Sequence, residues 1–276
     1  MEKPKSFLFN LSLTTQLIIL NVFFYFMGML FFYLYGKDFV SNNIALNPNM
    51  IFSGKALWTI LTSMFMHGSF FHIFANMFSL FFIGNFLEKL IGRKRFFWVY
   101  IISGIIGGIF FLIASLILGS LNISIFGDPT LPAVGASGAI FGLLGVLAVL
   151  VPYSKVYLII GPLIVLIANI ILEKILPLNL IASLNIITNI LIILMIFSLL
   201  SFNSKLRKIA IPVELPIWIA PILAIVTLIL IELVPGVDLP IGNSAHIGGL
   251  VIGLIYGFYL KRKFPRKTKN LSNNFR

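Results

Sequence analysis

Apolar runs of bilayer-crossing length recur from one end of this chain to the other, and they constrain its fold more than any other feature. Eight stand out, at residues 11–35, 69–87, 96–118, 137–152, 156–173, 178–202, 215–234 and 245–260. An apolar run of about 18 or more residues reads as a transmembrane helix. The composition agrees: 59% of the 276 residues are hydrophobic and only 10% are charged, with a mean hydropathy of +1.08. A transmembrane β-barrel would show shorter segments alternating polar with apolar, so an all-α polytopic membrane protein is expected. The first run is too long for a signal-peptide core and has no small-residue cleavage site, so it reads as a retained span. The run at 137–152 is short, which predicts a helix starting inside the membrane rather than at its surface. There is no cysteine, so disulfides and thiol chemistry are excluded.

Charge placement sets the orientation. Cytoplasmic segments collect Lys and Arg. With the N-terminus placed in the cytoplasm, 17 of the 20 basic residues fall inside, and only Lys37, Lys55 and Lys174 fall outside. That asymmetry accounts for the net charge of +12 without any nucleic-acid partner. The expectation is a multi-pass protein of the cell membrane, in contact with the lipid bilayer, with both termini cytoplasmic. A long outer loop, 36–58, carries Trp58 and suits the membrane interface. The basic tail, 261–276, is expected to be disordered.

The polar residues are few, and one group is conspicuous. "GASGAIFG", residues 135–142, holds Ser137 among Gly135, Ala136 and Gly138. Two readings stay open. Small residues let membrane helices approach closely, and Gly138 with Gly142 forms a G-x-x-x-G pair. Alternatively, Ser137 is a nucleophile, which requires a base and donors for an oxyanion. The chain has three histidines, His67, His72 and His246. His246 is followed by Gly249, Gly253 and Gly257, four apart on one helical face. If that face packs on Gly138 and Gly142, His246 comes near Ser137. Parity permits it: three spans separate the two helices, so Ser137 and His246 both begin inward-running spans at the same depth. In "HGSFFHIFANM", His72 and Asn76 are i and i+4 and share a face. With the backbone N–H near Ser137 they can form an oxyanion hole, or they can simply bond each other or a neighbouring helix.

This pattern resembles the rhomboid intramembrane serine proteases. The matching pieces are G-x-S-G at Gly135–Gly138, A-H-x-G-G-x-x-x-G at Ala245–Gly253, H-x-x-x-x-H-x-x-x-N at His67–Asn76, and "LEKLIGRKRF" at 87–96. The resemblance implies a Ser–His dyad without an aspartate: Ser137 as nucleophile, His246 as general base, and His72, Asn76 and the Ser137 N–H as oxyanion donors. It leaves His67 a structural role. Gly135, Gly138 and Gly249 would support the site. Asp128 and Asp238 are the nearest acidic candidates for a third member. No cofactor or metal is implied. The substrates implied are single-pass transmembrane proteins; no nucleic acid enters, and the oligomeric state is left open. Loops 119–134 and 235–244 would cap the site.

Two departures stand out. Where the family carries a W-R pair, Trp58 is followed here by Thr59. The family's six-span core has one span between the serine and histidine helices, whereas this chain has three. Taking 215–234 as the core fifth span makes 156–204 an inserted helix pair within a rhomboid-like domain of residues 1–260. Asn169, Glu173, Asn185 and Asn189 in that pair are expected to bond between helices.

Three rival functions are weaker. A metalloprotease or metal transporter is disfavoured because His67 and His72, five apart, lie about 140° apart round a helix, and no H-E-x-x-H is present. A catalytically silent, client-binding relative would be expected to lack the serine or the histidine. A small-molecule transporter would carry more charge at mid-membrane than Glu173 and Glu232.

Overall fold

The computed structural model describes residues 11–118, 131–199, 201, 203–232 and 242–274. Asp128, Asp238, most of the two loops expected to cap the site, and the extreme termini lie outside them. Its helices, in chain order, are α1 (Leu13–Asn43), α2 (Pro48–Phe52), α3 (Thr59–Thr62), α4 (Phe70–Ile91), α5 (Arg93–Leu118) and α6 (Ser137–Leu150). After strand β1 (Lys155–Ile159) come α7 (Gly161–Glu173), α8 (Leu178–Ser198) and the single turn α9 (Ser204–Arg207). Strand β2 (Pro212–Pro216), α10 (Ala220–Glu232), α11 (Asn243–Lys263) and α12 (Pro265–Asn274) complete the order. Each of the eight apolar runs contains a helix. Among the described residues, five helices are long and apolar enough to cross a membrane: α1, α4, α5, α8 and α11. The molecule is an all-α polytopic membrane protein.

Two of the expected spans begin differently. Residues 155–159 and 212–216 pair as antiparallel strands, with Lys155 opposite Pro216 and Ile159 opposite Pro212. The helix of each run starts only at Gly161 or Ala220. The sequence "KVYLI" is apolar enough to extend a helix, but Pro162 and Pro221 mark where each helix starts, since proline is tolerated only in a first turn. Lys155 and Glu214 form an ion pair across the ladder. The tail departs from expectation too. Proline 265 opens α12, and Thr268 Oγ1 donates to the Phe264 carbonyl at 3.0 Å, while the Arg95 guanidinium sits 4.8 Å from the Phe264 ring centroid.

The chain forms two compact units, Met1–Tyr153 with Ile217–Arg276, and Ser154–Pro216. In the first, α6 is the central helix, and twelve of its fourteen residues are buried. Its apolar surface runs all round, as a helix enclosed by neighbours requires. Helices α5 and α11 pack against it through small residues. A methyl group at Gly145 would meet the Leu250 carbonyl at 2.7 Å, and one at Gly107 would meet the Ala245 carbonyl at 2.7 Å. Such contacts explain why glycine recurs on all three helices. The chain leaves and re-enters this unit at adjacent points, because Trp218 N–H donates to the Pro152 carbonyl at 3.3 Å.

The "LEKLIGRKRF" stretch ties three helices together. The Glu88 carboxylate accepts from Leu13 N, Thr14 N and Thr14 Oγ1, each at 2.8 Å, at the N-terminus of α1. A carboxylate there satisfies otherwise orphaned N–H groups and complements the helix dipole. Arg93, at the start of α5, donates to the Leu11 carbonyl at 3.0 Å and to Gln16 Oε1 at 2.8 Å.

The second unit is a helix pair closed by the strand ladder. Asn169 Nδ2 donates to Asn185 Oδ1 at 2.9 Å and to Glu173 Oε1 at 3.1 Å, and Thr188 Oγ1 donates to Asn169 Oδ1 at 2.7 Å. Asn169, Glu173 and Asn185 thus bond as expected of polar groups inside a span. Asn189 does not join them: it is exposed, and Thr188 takes its place.

Candidate active site

Helix α6 is fourteen residues long, about 21 Å at 1.5 Å per residue, and so spans roughly two-thirds of a hydrocarbon core. Its first residue is Ser137. Gly135 takes a positive φ of 125°, a conformation that L side chains rarely adopt. It turns the chain sharply into the helix and leaves no room for a side chain.

Helix α11 carries His246 one turn in from its own start. The backbone approach of Gly249 to Gly138, and of Gly253 to Gly142, lets the two helices run in contact, since a methyl group at either α11 position would overlap the α6 carbonyl facing it. His246 Nε2 lies 2.8 Å from Ser137 Oγ, so the two side chains share a hydrogen bond. The imidazole is buried and stacked on Phe141, with ring centroids 4.6 Å apart at 21°. Among the described residues, Nδ1 of His246 has no hydrogen-bond partner. Among the described residues, the pair is oriented by this packing. Phe141 lies one helical turn beyond Ser137, and its place among apolar residues gives no sequence signal of this contact.

The other donors arrive from α4. Ser69 caps this helix by accepting from His72 N at 3.2 Å. Asn76 Nδ2 donates to the His72 carbonyl at 3.0 Å, leaving its second N–H uncommitted. Both side chains lie over Gly135: a methyl group there would come 2.7 Å from His72 Nε2 and 3.8 Å from Asn76 Nδ2. His72, Asn76 and the free N–H groups of the first turn of α6 therefore collect beside Ser137, where the positive end of the helix dipole also points. His67 meets His72 edge-on, with ring centroids 5.1 Å apart. It is buried. Burial, and after it the nearby His72, lower its pKa to about 3, with the Phe65 backbone pulling weakly the other way.

Two further contacts position the constellation. Asn243 opens α11 and donates to Glu232 Oε2 of α10 at 2.6 Å. Its spacing of three residues before His246 was the available signal. Leu46 and Ala133 exchange backbone hydrogen bonds at 2.9 and 3.0 Å, tying the segment after α1 to the strand-like approach to Ser137. Trp58 Nε1 donates to the Asn43 carbonyl at 2.8 Å, so the loop is anchored without the arginine that usually follows the tryptophan. Among the described residues, no three histidine or carboxylate side chains converge as a metal ion would need.

A Rhomboid domain model matches residues 54–191 and 190–263, well over half of the chain. The chain belongs to the rhomboid family. It is 32% identical over 126 residues to the mitochondrial Rhomboid protein 1 of Saccharomyces cerevisiae, covering 46% of this chain and 30% of that one. It is 38% identical over 91 residues to a Bacillus subtilis protein named as a candidate rhomboid protease, YdcA, covering 32% and 39%. It is 36% identical over 89 residues to the Inactive RHOMBOID-like protein 8 of Arabidopsis thaliana, covering 32% and 22%. The chain thus spans well under two-thirds of the length of these rhomboid relatives.

Proposed function

We propose that this protein is an intramembrane serine endopeptidase that cuts single-pass transmembrane proteins. The observation that carries the reading is the 2.8 Å hydrogen bond between His246 Nε2 and Ser137 Oγ at the half-buried start of a short helix. In this reading His246 takes the Ser137 proton as Oγ attacks the scissile carbonyl. The oxyanion that forms is held by His72, Asn76 and the Ser137 N–H. The protonated His246 then gives its proton to the departing amine, leaving an acyl-enzyme. Water, deprotonated by His246, releases the acid and restores the serine.

A substrate helix has its carbonyls bonded internally, so it must unwind before attack, and helix-breaking residues lower that cost. The asymmetry of basic residues supports placement in the cell membrane with both termini cytoplasmic. One relative is named inactive, which favours keeping a silent, client-binding protein as the second reading. A fluorophosphonate, which captures activated serines, separates the two. Labelling of folded wild type, with none in Ser137→Ala or His246→Ala, is the expected result. Absence of labelling in folded wild type would favour the silent relative, and equal labelling in all three would place the reactive group elsewhere.

A further inference from the structure

Helix α11 changes chemistry along one exposed face. Ile255 and Phe258 are apolar, and Tyr259, Arg262 and Lys263 follow toward its C-terminal end. These five residues line an open groove of about 790 Å³. At 100° per residue, Ile255, Phe258, Tyr259 and Arg262 fall within about 100° of one another. Lys263 is held beside them: its Nζ donates to the Tyr259 hydroxyl at 2.7 Å and lies 5.2 Å from that ring's centroid. Arg262 is exposed, and among the described residues it makes no hydrogen bond, ion pair or ring contact.

The surroundings carry charge of one sign. Lys261, Arg262, Lys263, Arg266, Lys267 and Lys269 are all exposed. Among the described residues none of them pairs with a carboxylate. The ion pair Lys155–Glu214 belongs to the other unit, and Glu88 is committed to the start of α1. Arg95 adds a further cation from α5, over the Phe264 ring. Such clustering at a span end is a topology signal and by itself names no ligand. The groove adds what topology does not require: two cations beside a tyrosine, continuous with an exposed apolar strip. From Ile255 to Arg262 the helix rises about 10 Å, enough to run from hydrocarbon into the headgroup layer.

We infer that this groove binds one anionic phospholipid, with its phosphate on Arg262 and Lys263 and an acyl chain along Ile255 and Phe258. A guanidinium presents paired N–H donors that match a phosphate, and an ammonium adds a compact point charge. Tyr259 stands at headgroup level, as interfacial tyrosines do. The carbonyl end of α11 carries only about half a negative charge, so two full positive charges outweigh it. Basic clusters just beyond a span attract anionic headgroups. A zwitterionic lipid brings its own cation and gains little from this cluster. A free phosphate ester lacks the chain that Ile255 and Phe258 accommodate. This inference does not depend on the proteolytic reading.

The test uses the full chain purified in a neutral detergent. Phosphatidylglycerol, phosphatidylcholine with the same chains, or glycerol 3-phosphate is added, and the melting temperature is read. A ligand that binds the folded state raises it. Phosphatidylglycerol should raise it several degrees more than either of the others. Arg262→Gln with Lys263→Gln should lose most of that extra rise. Arg266→Gln with Lys267→Gln removes the same charge outside the groove and should keep it. All four side chains are exposed, so their replacement leaves the fold intact, checked by size exclusion. Native mass spectrometry should show one phosphatidylglycerol retained on the wild type and several-fold less on the groove variant. An equal rise with phosphatidylcholine or glycerol 3-phosphate, an equal loss in the two double variants, or no lipid retained on the wild type overturns the inference.

Discussion

Gly249 and Gly138 meet backbone to backbone, and a methyl group on Gly249 would overlap the Gly138 carbonyl. That contact lies next to Ser137 on α6 and one turn beyond His246 on α11, so it sets the distance between them. Gly249→Val is expected to force α6 and α11 apart, costing about 1–3 kcal/mol as overpacking does. Fluorophosphonate labelling of Ser137 should be lost even in protein that still elutes as a folded species. Full labelling of well-folded Gly249→Val would show that another contact holds the dyad together.

Gly135 offers a second, independent lever. Its φ of 125° and the 2.7 Å approach of a would-be methyl to His72 Nε2 both oppose any side chain. Gly135→Ala should displace His72 and slow cleavage of a transmembrane reporter. Asn76→Ala, which removes one oxyanion donor without moving the dyad, should lower kcat by roughly 10²–10³ with little change in KM. A rise in KM at constant kcat for Asn76→Ala would assign Asn76 to substrate binding instead.

These positions show what the sequence could and could not reveal. That Ser137 and His246 meet was legible because glycines at helical spacing follow each of them, which lets α6 and α11 pack closely. The glycines at 249, 253 and 257 were legible because helical spacing puts them on one face. The strands at 155–159 and 212–216 were not, since apolar β-branched residues read alike in a buried strand and a short helix. The choice of Thr188 over Asn189 as the partner of Asn169 turned on helix rotation, which residue type alone does not encode. Phe141 was hidden for a similar reason: an aromatic among apolar residues signals nothing until its ring is seen against an imidazole.

Glu88 is the acceptor for three hydrogen bonds at the start of α1. Glu88→Ala would leave two backbone N–H groups without their acceptor, and hydrogen bonds to a charged group contribute about 1.5–3 kcal/mol each. The loss should appear as a lower melting temperature in detergent. It should also appear as greater protease sensitivity around residues 11–16, because only Arg93 and Asn85, which accepts from Ser12 Oγ at 3.1 Å, would then hold that end of α1. An unchanged melting temperature would mean that Arg93 and Asn85 suffice.

His67 supplies one pH dependence that a single substitution isolates. Its pKa, about 3 in the folded protein against an ordinary 6.5, is lowered chiefly by burial. The folded state therefore holds His67 neutral, while the unfolded chain takes up a proton once pH drops below 6.5. Stability from this group is complete above pH 6.5 and is lost as pH falls toward 3. Melting curves of the wild type should shift to lower temperature between pH 7 and pH 5. His67→Phe fills a similar volume, keeps the edge-on contact with His72 and carries no titrating group, so its shift over the same range should be smaller. Equal shifts in the two proteins would assign the acid sensitivity to other groups and leave His67 as packing alone.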